Sequence, residues 1–99
     1  MLNKDIILAF LKSHFSELRN KYHVSDIGLV GSFARDEQTE DSDIDLIIEF
    51  EPGTDKIYDL KLSLKQYLQD NFDRDIDICR KKYLKPYIKE YLEKEAIYV

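Results

Sequence analysis

Asp43 and Asp45 stand two residues apart in the run Ser42-Asp43-Ile44-Asp45-Leu46, a fixed distance after Gly31-Ser32-Phe33-Ala34-Arg35. On a strand, side-chain alternation sends both carboxylates to one face, about 6.6–6.8 Å apart. Two oxygen donors on one rigid face suit Mg²⁺, which takes few carboxylates and keeps room for waters and substrate phosphates. A Gly-Ser turn upstream offers backbone N–H groups and a hydroxyl to a phosphate tail. The pattern is that of a metal-dependent nucleotide site.

A further carboxylate comes from the run Asp75-Ile76-Asp77-Ile78-Cys79. Alternation puts Asp75 and Asp77 on the same strand face and does not separate them. The apolar flanks Ile76 and Ile78 favour Asp77, whereas Asp75 follows Asp73-Arg74, where a solvated acid or an ion pair with Arg74 is the plain expectation. Arg35 is a candidate phosphate contact, with a pair to Glu37, Asp41 or another acid as its rival role. Glu49, on the acidic strand face, reads as solvated.

The elements needed to position these groups follow from periodicity. Apolar residues from Leu2 to Tyr22 recur at three- and four-residue steps, predicting a helix from about Asn3, its cap, to Asn20. A short strand around Ile27 and Leu29 ends at Gly31, and Phe33 to Glu37 form a helical turn starting at Ser32. Gln38 to Ser42 is a polar loop. Asp43 to Phe50 alternates as a strand, broken by Pro52-Gly53. Asp55 is the expected cap of a helix burying Ile57, Leu60, Leu64, Tyr67 and Leu68. Asp75 to Cys79 makes a third strand, and Leu84 to Leu92 a last helix with Pro86 in its first turn. Ala96 to Val99 can add an edge strand. The expectation is a two-layer α/β (α+β) fold: a small mixed sheet with helices mainly on one face.

Ninety-nine residues fit one domain, taken as 1–99. With 15 basic and 20 acidic residues the net charge is −5, which argues against gripping long nucleic acid through its phosphates. No apolar run reaches bilayer length, so no membrane role is expected. The start, Met1-Leu2-Asn3-Lys4-Asp5, lacks a signal-peptide pattern. Cys79 is the single cysteine, so no internal disulfide can form, which fits the cytoplasm. With His14 and His23 it makes no structural zinc cluster. The tyrosines and phenylalanines fall mostly on helical stripes and read as core, and Cys79 as packing.

Other phosphate or metal motifs fail. An EF-hand starting at Asp41 would need glycine where Leu46 stands and glutamate where Pro52 stands. Neither a Walker loop nor a dinucleotide fingerprint is present, and Ser32 lacks the flanks of a hydrolase elbow.

Ser32, ten intervening residues and Asp43-Ile44-Asp45 resemble the G-S-x10-D-x-D signature of the minimal nucleotidyltransferases, small members of the DNA polymerase beta-like superfamily. Gly31-Ser32-Phe33-Ala34-Arg35-Asp36-Glu37 is similar to that family's G-S-x-A-R-x-E run. Ile76-Asp77-Ile78 resembles its later strand carrying a third carboxylate, and Leu84 to Val99 its closing helix and tail. Asp36 stands where the family commonly has glycine and Glu40 where proline is frequent. If residue 36 needs positive φ, Asp is among the less costly replacements.

The resemblance implies that Asp43, Asp45 and Asp77 are the catalytic and metal-binding residues, holding two Mg²⁺ ions on the triphosphate of ATP. It implies that Gly31 and Ser32 hold the β- and γ-phosphates, and that Asp77 activates the attacking hydroxyl. Small stand-alone members resemble antitoxins whose partner is a HEPN-type ribonuclease toxin, some of them transferring AMP to a toxin tyrosine. Such a protein adenylyltransferase is the leading expectation. A non-catalytic antitoxin acting by contact alone, or a nucleotidyltransferase acting on a small molecule or RNA end, are the alternatives.

Overall fold

The structure, a computed structural model, describes residues 2–99. Helix α1 (Lys4–Ser13) starts from Asn3, whose Oδ1 accepts the Ile6 N–H at 3.0 Å. The single helix expected to about Asn20 instead divides at His14, and α2 (Phe15–Tyr22) follows. At the break the Phe10 carbonyl accepts the His14 N–H at 3.0 Å and also the Ser13 hydroxyl at 3.1 Å, and the His14 ring reaches the same oxygen at 2.9 Å. Such local side-chain bonds to a helical carbonyl gather at helix ends. The half-buried His14 ring stacks on Phe10 with centroids 4.0 Å apart.

Strand β1 (Val24–Val30) leads into α3 (Gly31–Ala34), and β2 (Ile44–Phe50) follows a polar loop. Next come α4 (Ile57–Phe72), β3 (Ile76–Arg80), a 3₁₀ turn (Lys81–Tyr83), α5 (Pro86–Glu95) and β4 (Ile97–Tyr98). The expected Asp55 cap is corrected: α4 starts after Lys56, left-handed at φ 54°, and the Asp55 carboxylate accepts only the adjacent Lys56 N–H at 3.1 Å.

The four strands form one mixed sheet in the order β3-β2-β1-β4. β1 runs antiparallel to β2 and β4, whereas β2 and β3 are parallel. A parallel pair needs a crossover, and α4 supplies it. Ile7 and Leu11 of α1, Leu18 and Tyr22 of α2, and Leu64 and Leu68 of α4 pack with Ile27, Leu29, Ile44, Leu46, Ile48, Ile76 and Ile78. That is the two-layer arrangement the periodicity implies. A register shift between Val24 and Asp26 resets the alternation and lets Val24 join this core. Burying each such Leu or Ile contributes about 1.5–3 kcal/mol, so this face fixes the strand register. The odd-numbered positions of β2, Asp45, Ile47 and Glu49, then point to the other face.

Candidate active site

Alternation along β2 and β3 sets the site. Ile44, Leu46, Ile76 and Ile78 are buried, so Asp45 and Asp77 between them face the opposite side of the sheet. They are register partners across the parallel pair. Asp45 is half-buried and Asp77 exposed. Asp43 is exposed and lies just ahead of β2 rather than on it, because the strand starts at Ile44, whose N–H bonds the Asp75 carbonyl at 2.9 Å. Burial raises the Asp45 carboxyl above its ordinary range, and the negative charges of Asp77 and then Asp43 raise it further. These three acids therefore share one field. Asp75 lies ahead of β3 on a depression that also contains Asp43, Asp73 and Arg74, while Asp77 lines a different one with Tyr58, Lys61, Leu62 and Lys65.

The Gly31 turn abuts this field. Gly31 has φ 80°, and a Cβ built there would collide with the Asp45 carboxylate, Oδ2 first and Cγ at 3.0 Å. Glycine is required twice over, by conformation and by the approach of Asp45. Ser32 is half-buried and its carbonyl accepts the Glu37 N–H at 2.9 Å. Phe33 is fully buried and pins the turn to the core. Asp36 does adopt the left-handed conformation, at φ 58°, and its carboxylate pairs with Lys4 at 2.9 Å.

Arg35 takes the ion-pair option. It meets Glu37 at 3.3 Å and Glu95 at 2.7 Å, and the Glu95 carboxylate also accepts the Gly31 N–H at 2.8 Å. The hydrogen bond to Glu95 holds the guanidinium above its ordinary pKa. Sequence reasoning missed Glu95, since neither spacing nor periodicity ties the end of α5 to a turn 64 residues earlier.

Two other sequence expectations are corrected, for Glu49 and for the tyrosines. Of the two alternatives for Asp75 the solvated acid is observed, since Asp75 is exposed. Arg74 donates instead to the carbonyls of Ser42 at 2.9 Å and Thr39 at 3.3 Å, and lies 5.5 Å from the Phe33 ring centroid. It thereby holds the loop that delivers Asp43. Glu49 is not merely solvated, because it accepts from Arg80 at 2.6 and 3.1 Å and from the Lys82 N–H at 3.0 Å. Burial pushes its carboxyl up, but Arg80 and the N–H groups of Phe50 and Lys82 outweigh this and hold it below its ordinary range. Tyr58, Tyr83, Tyr87 and Tyr91 are exposed, contrary to a core role. Cys79 is half-buried, and burial followed by the Asp77 charge pushes its thiol up, away from the reactive thiolate.

Among the described residues no three acidic, histidine or cysteine side chains close into a ready metal cage. The acids near Asp45 instead form an open, mutually repelling set.

The sequence of residues 11–99 matches the model of the nucleotidyltransferase domain family. The chain belongs to that family. This nucleotidyltransferase is 35% identical over 101 residues to the protein adenylyltransferase MntA of Thermococcus cleftensis, covering 100% of this chain and 98% of that one. It is 39% identical over 94 residues to a candidate protein adenylyltransferase of Methanocaldococcus jannaschii, covering 94% of each. A solved structure described as a minimal nucleotidyltransferase superposes with TM-score 0.80 at 29% identity, covering 97% of this chain and 95% of that chain. A toxin–antitoxin crystal structure with AMP-PNP shares the fold, at TM-score 0.66 and 22% identity over 98% of this chain and 72% of that one. Among the described residues of the nucleotidyltransferase no helix is long and apolar enough to cross a membrane.

Proposed function

We propose that this nucleotidyltransferase transfers AMP from ATP to a hydroxyl, a tyrosine, of a partner HEPN-type toxin in the cytoplasm, and so acts as its antitoxin. The observation that carries the reading is the register pairing of Asp45 with Asp77 beside the Gly31 turn. The name of the Thermococcus relative, a protein adenylyltransferase, supports the reaction class.

Asp43, Asp45 and Asp77 fit Mg²⁺. Burial and then the charges of Asp77 and Asp43 raise the Asp45 carboxyl; a divalent cation relieves the repulsion among the acids, and an open set suits an ion that keeps water and phosphate oxygens among its ligands. When bound, a pair of Mg²⁺ ions supplies charge neutralisation for the triphosphate and for the leaving pyrophosphate. The chain's own residues do the rest. The Gly31 and Ser32 N–H groups and the Ser32 hydroxyl hold the β- and γ-phosphates, with Arg35 beside them. Asp77, exposed on β3, accepts the proton of the attacking hydroxyl as its oxygen bonds the α-phosphorus and the bond to pyrophosphate breaks. Fixed on two core-anchored strands, these groups contribute mainly orientation.

The test is the intact mass of the co-purified toxin after incubation with ATP and Mg²⁺. A gain of one or more AMP units, absent with Asp77→Asn, is the expected result. Neutralisation of the toxin without any mass gain would replace transfer by simple binding.

A further inference from the structure

Glu95, the last residue of α5, holds two groups at the Gly31 turn at once. Its Oε2 accepts the Gly31 N–H at 2.8 Å, and its Oε1 pairs with Arg35 Nη1 at 2.7 Å. The Glu95 side chain is only 11% exposed. These are two of the donors that the proposed reading assigns to the triphosphate, and this inference rests on that reading. One amide N–H serves one strong acceptor at a time. A phosphate oxygen brought to Gly31 would press against the Glu95 carboxylate, and two anions sharing a donor repel.

We propose that Glu95 is a positioning residue: an internal carboxylate that occupies the phosphate seat of the free protein and is displaced by the triphosphate of the nucleotide. In the free protein it preserves the turn and keeps Arg35 aimed at it. On binding, phosphate oxygens take over the Gly31 N–H and the guanidinium, both of which favour the more highly charged acceptor.

The anchorage of Glu95 makes the exchange cheap. No α5 residue is fully buried; Ile88, Leu92 and Glu95 are half-buried. Strand β4 has two residues, paired as Gly28 with Tyr98 and Leu29 with Ile97, with one further bond from the Val99 N–H to the Ile27 carbonyl at 3.2 Å. A segment held by so few contacts opens locally without unfolding the core. The two events are then reciprocal: nucleotide loosens the tail, and anything that fastens the tail weakens nucleotide binding by the same factor.

The experiment uses the full chain with inorganic tripolyphosphate and Mg²⁺, followed by calorimetry and amide hydrogen exchange. Glu95→Gln keeps a hydrogen-bonding group but removes the competing charge, so it should bind tripolyphosphate about fivefold tighter or more. With ATP as substrate it should lower KM more than it changes kcat, a split that loss of a merely structural contact does not produce. In the wild-type protein, ligand should accelerate exchange across residues 95–99 while β2 keeps its protection. If Glu95→Gln does not fold, this wild-type measurement decides alone. Binding no tighter in a folded Glu95→Gln, or a tail whose protection is unchanged by bound ligand, overturns the displacement and leaves the nucleotide site standing. Failure of both proteins to bind tripolyphosphate and ATP overturns the nucleotide reading together with this inference.

Discussion

Asp45 on β2 and Asp77 on β3 are paired position for position across a parallel strand pair. A pairing of two acids on adjacent strands is unfavourable by itself, because like charges directly opposite destabilise a sheet. The upward shift of the Asp45 carboxyl, caused by burial and then by Asp77 and Asp43, records that cost. A half-buried carboxyl facing other acids in this way marks the candidate functional site proposed above.

Asp45→Asn should therefore raise the melting temperature at neutral pH by about 2–4 °C while abolishing Mg²⁺-dependent nucleotide binding. The sign follows from linkage. The folded carboxyl holds its proton more tightly than the unfolded one, so its ionisation costs stability as pH rises through the raised value. The advantage of the asparagine should fade as pH falls towards the ordinary aspartate range. Thermal scans across pH, with calorimetry of a non-hydrolysable ATP analogue, check both halves; a variant less stable than wild type at pH 7 would contradict the charge argument.

Gly31→Ala should cost about 2–3 kcal/mol and lose nucleotide binding, since it combines a left-handed φ with collision against the Asp45 carboxylate. Gly53→Ala is the matched control. Gly53 also has φ 80° but an added Cβ meets nothing within 4 Å, so its cost should be only about 1 kcal/mol with binding intact. Urea unfolding of both variants measures the difference; equal costs would remove the role of Asp45 in requiring glycine.

Asp77→Asn should abolish AMP transfer while largely retaining ATP binding, whereas Asp75→Asn should cost little. Asp77 is the acid that acts on Asp45, while Asp75 sits ahead of β3 and contributes its backbone carbonyl to Ile44. A radiolabelled transfer assay beside a binding assay ranks them. The reverse order would move the proton acceptor to Asp75.

Glu49→Gln should flatten the acid limb of the stability curve. The Glu49 carboxyl is held down by Arg80 and two N–H groups against its burial, so its contribution is full above the ordinary glutamate range and is lost as pH falls through the lowered value. Glu49→Ala should be worse, by about 1–3 kcal/mol at pH 7, because the Arg80 side chain, 12% exposed, is left without its partner. Chemical denaturation at pH 7 and pH 4 distinguishes the two; if Glu49→Ala is neutral at pH 7, the pair is only a surface contact.

By itself the sequence determined the alternation of the strands observed at Ile44–Phe50 and Ile76–Arg80, though it started each one residue early, at Asp43 and Asp75. It also determined the helical stripes and the Gly-Ser turn ahead of two acids, because periodicity and turn chemistry are local. The exposed Tyr87 and Tyr91 belong to such a stripe on α5, but a stripe is core only if something packs on it, and on α5 the cover reaches Ile88 and Leu92 only in part. Likewise the helix divides at His14, where Ser13 and the His14 ring gather on the Phe10 carbonyl, a contact that no hydrophobic pattern weighs. Only the tertiary structure decided that Asp77 lands opposite Asp45, that Arg74 ties down the loop before Asp43, and that Arg80 neutralises Glu49. Above all it decided that Glu95 closes on Gly31 and Arg35. Each of these joins residues far apart in the chain, and the partner of a charge is set by which strand the sheet places beside it, which no local spacing encodes.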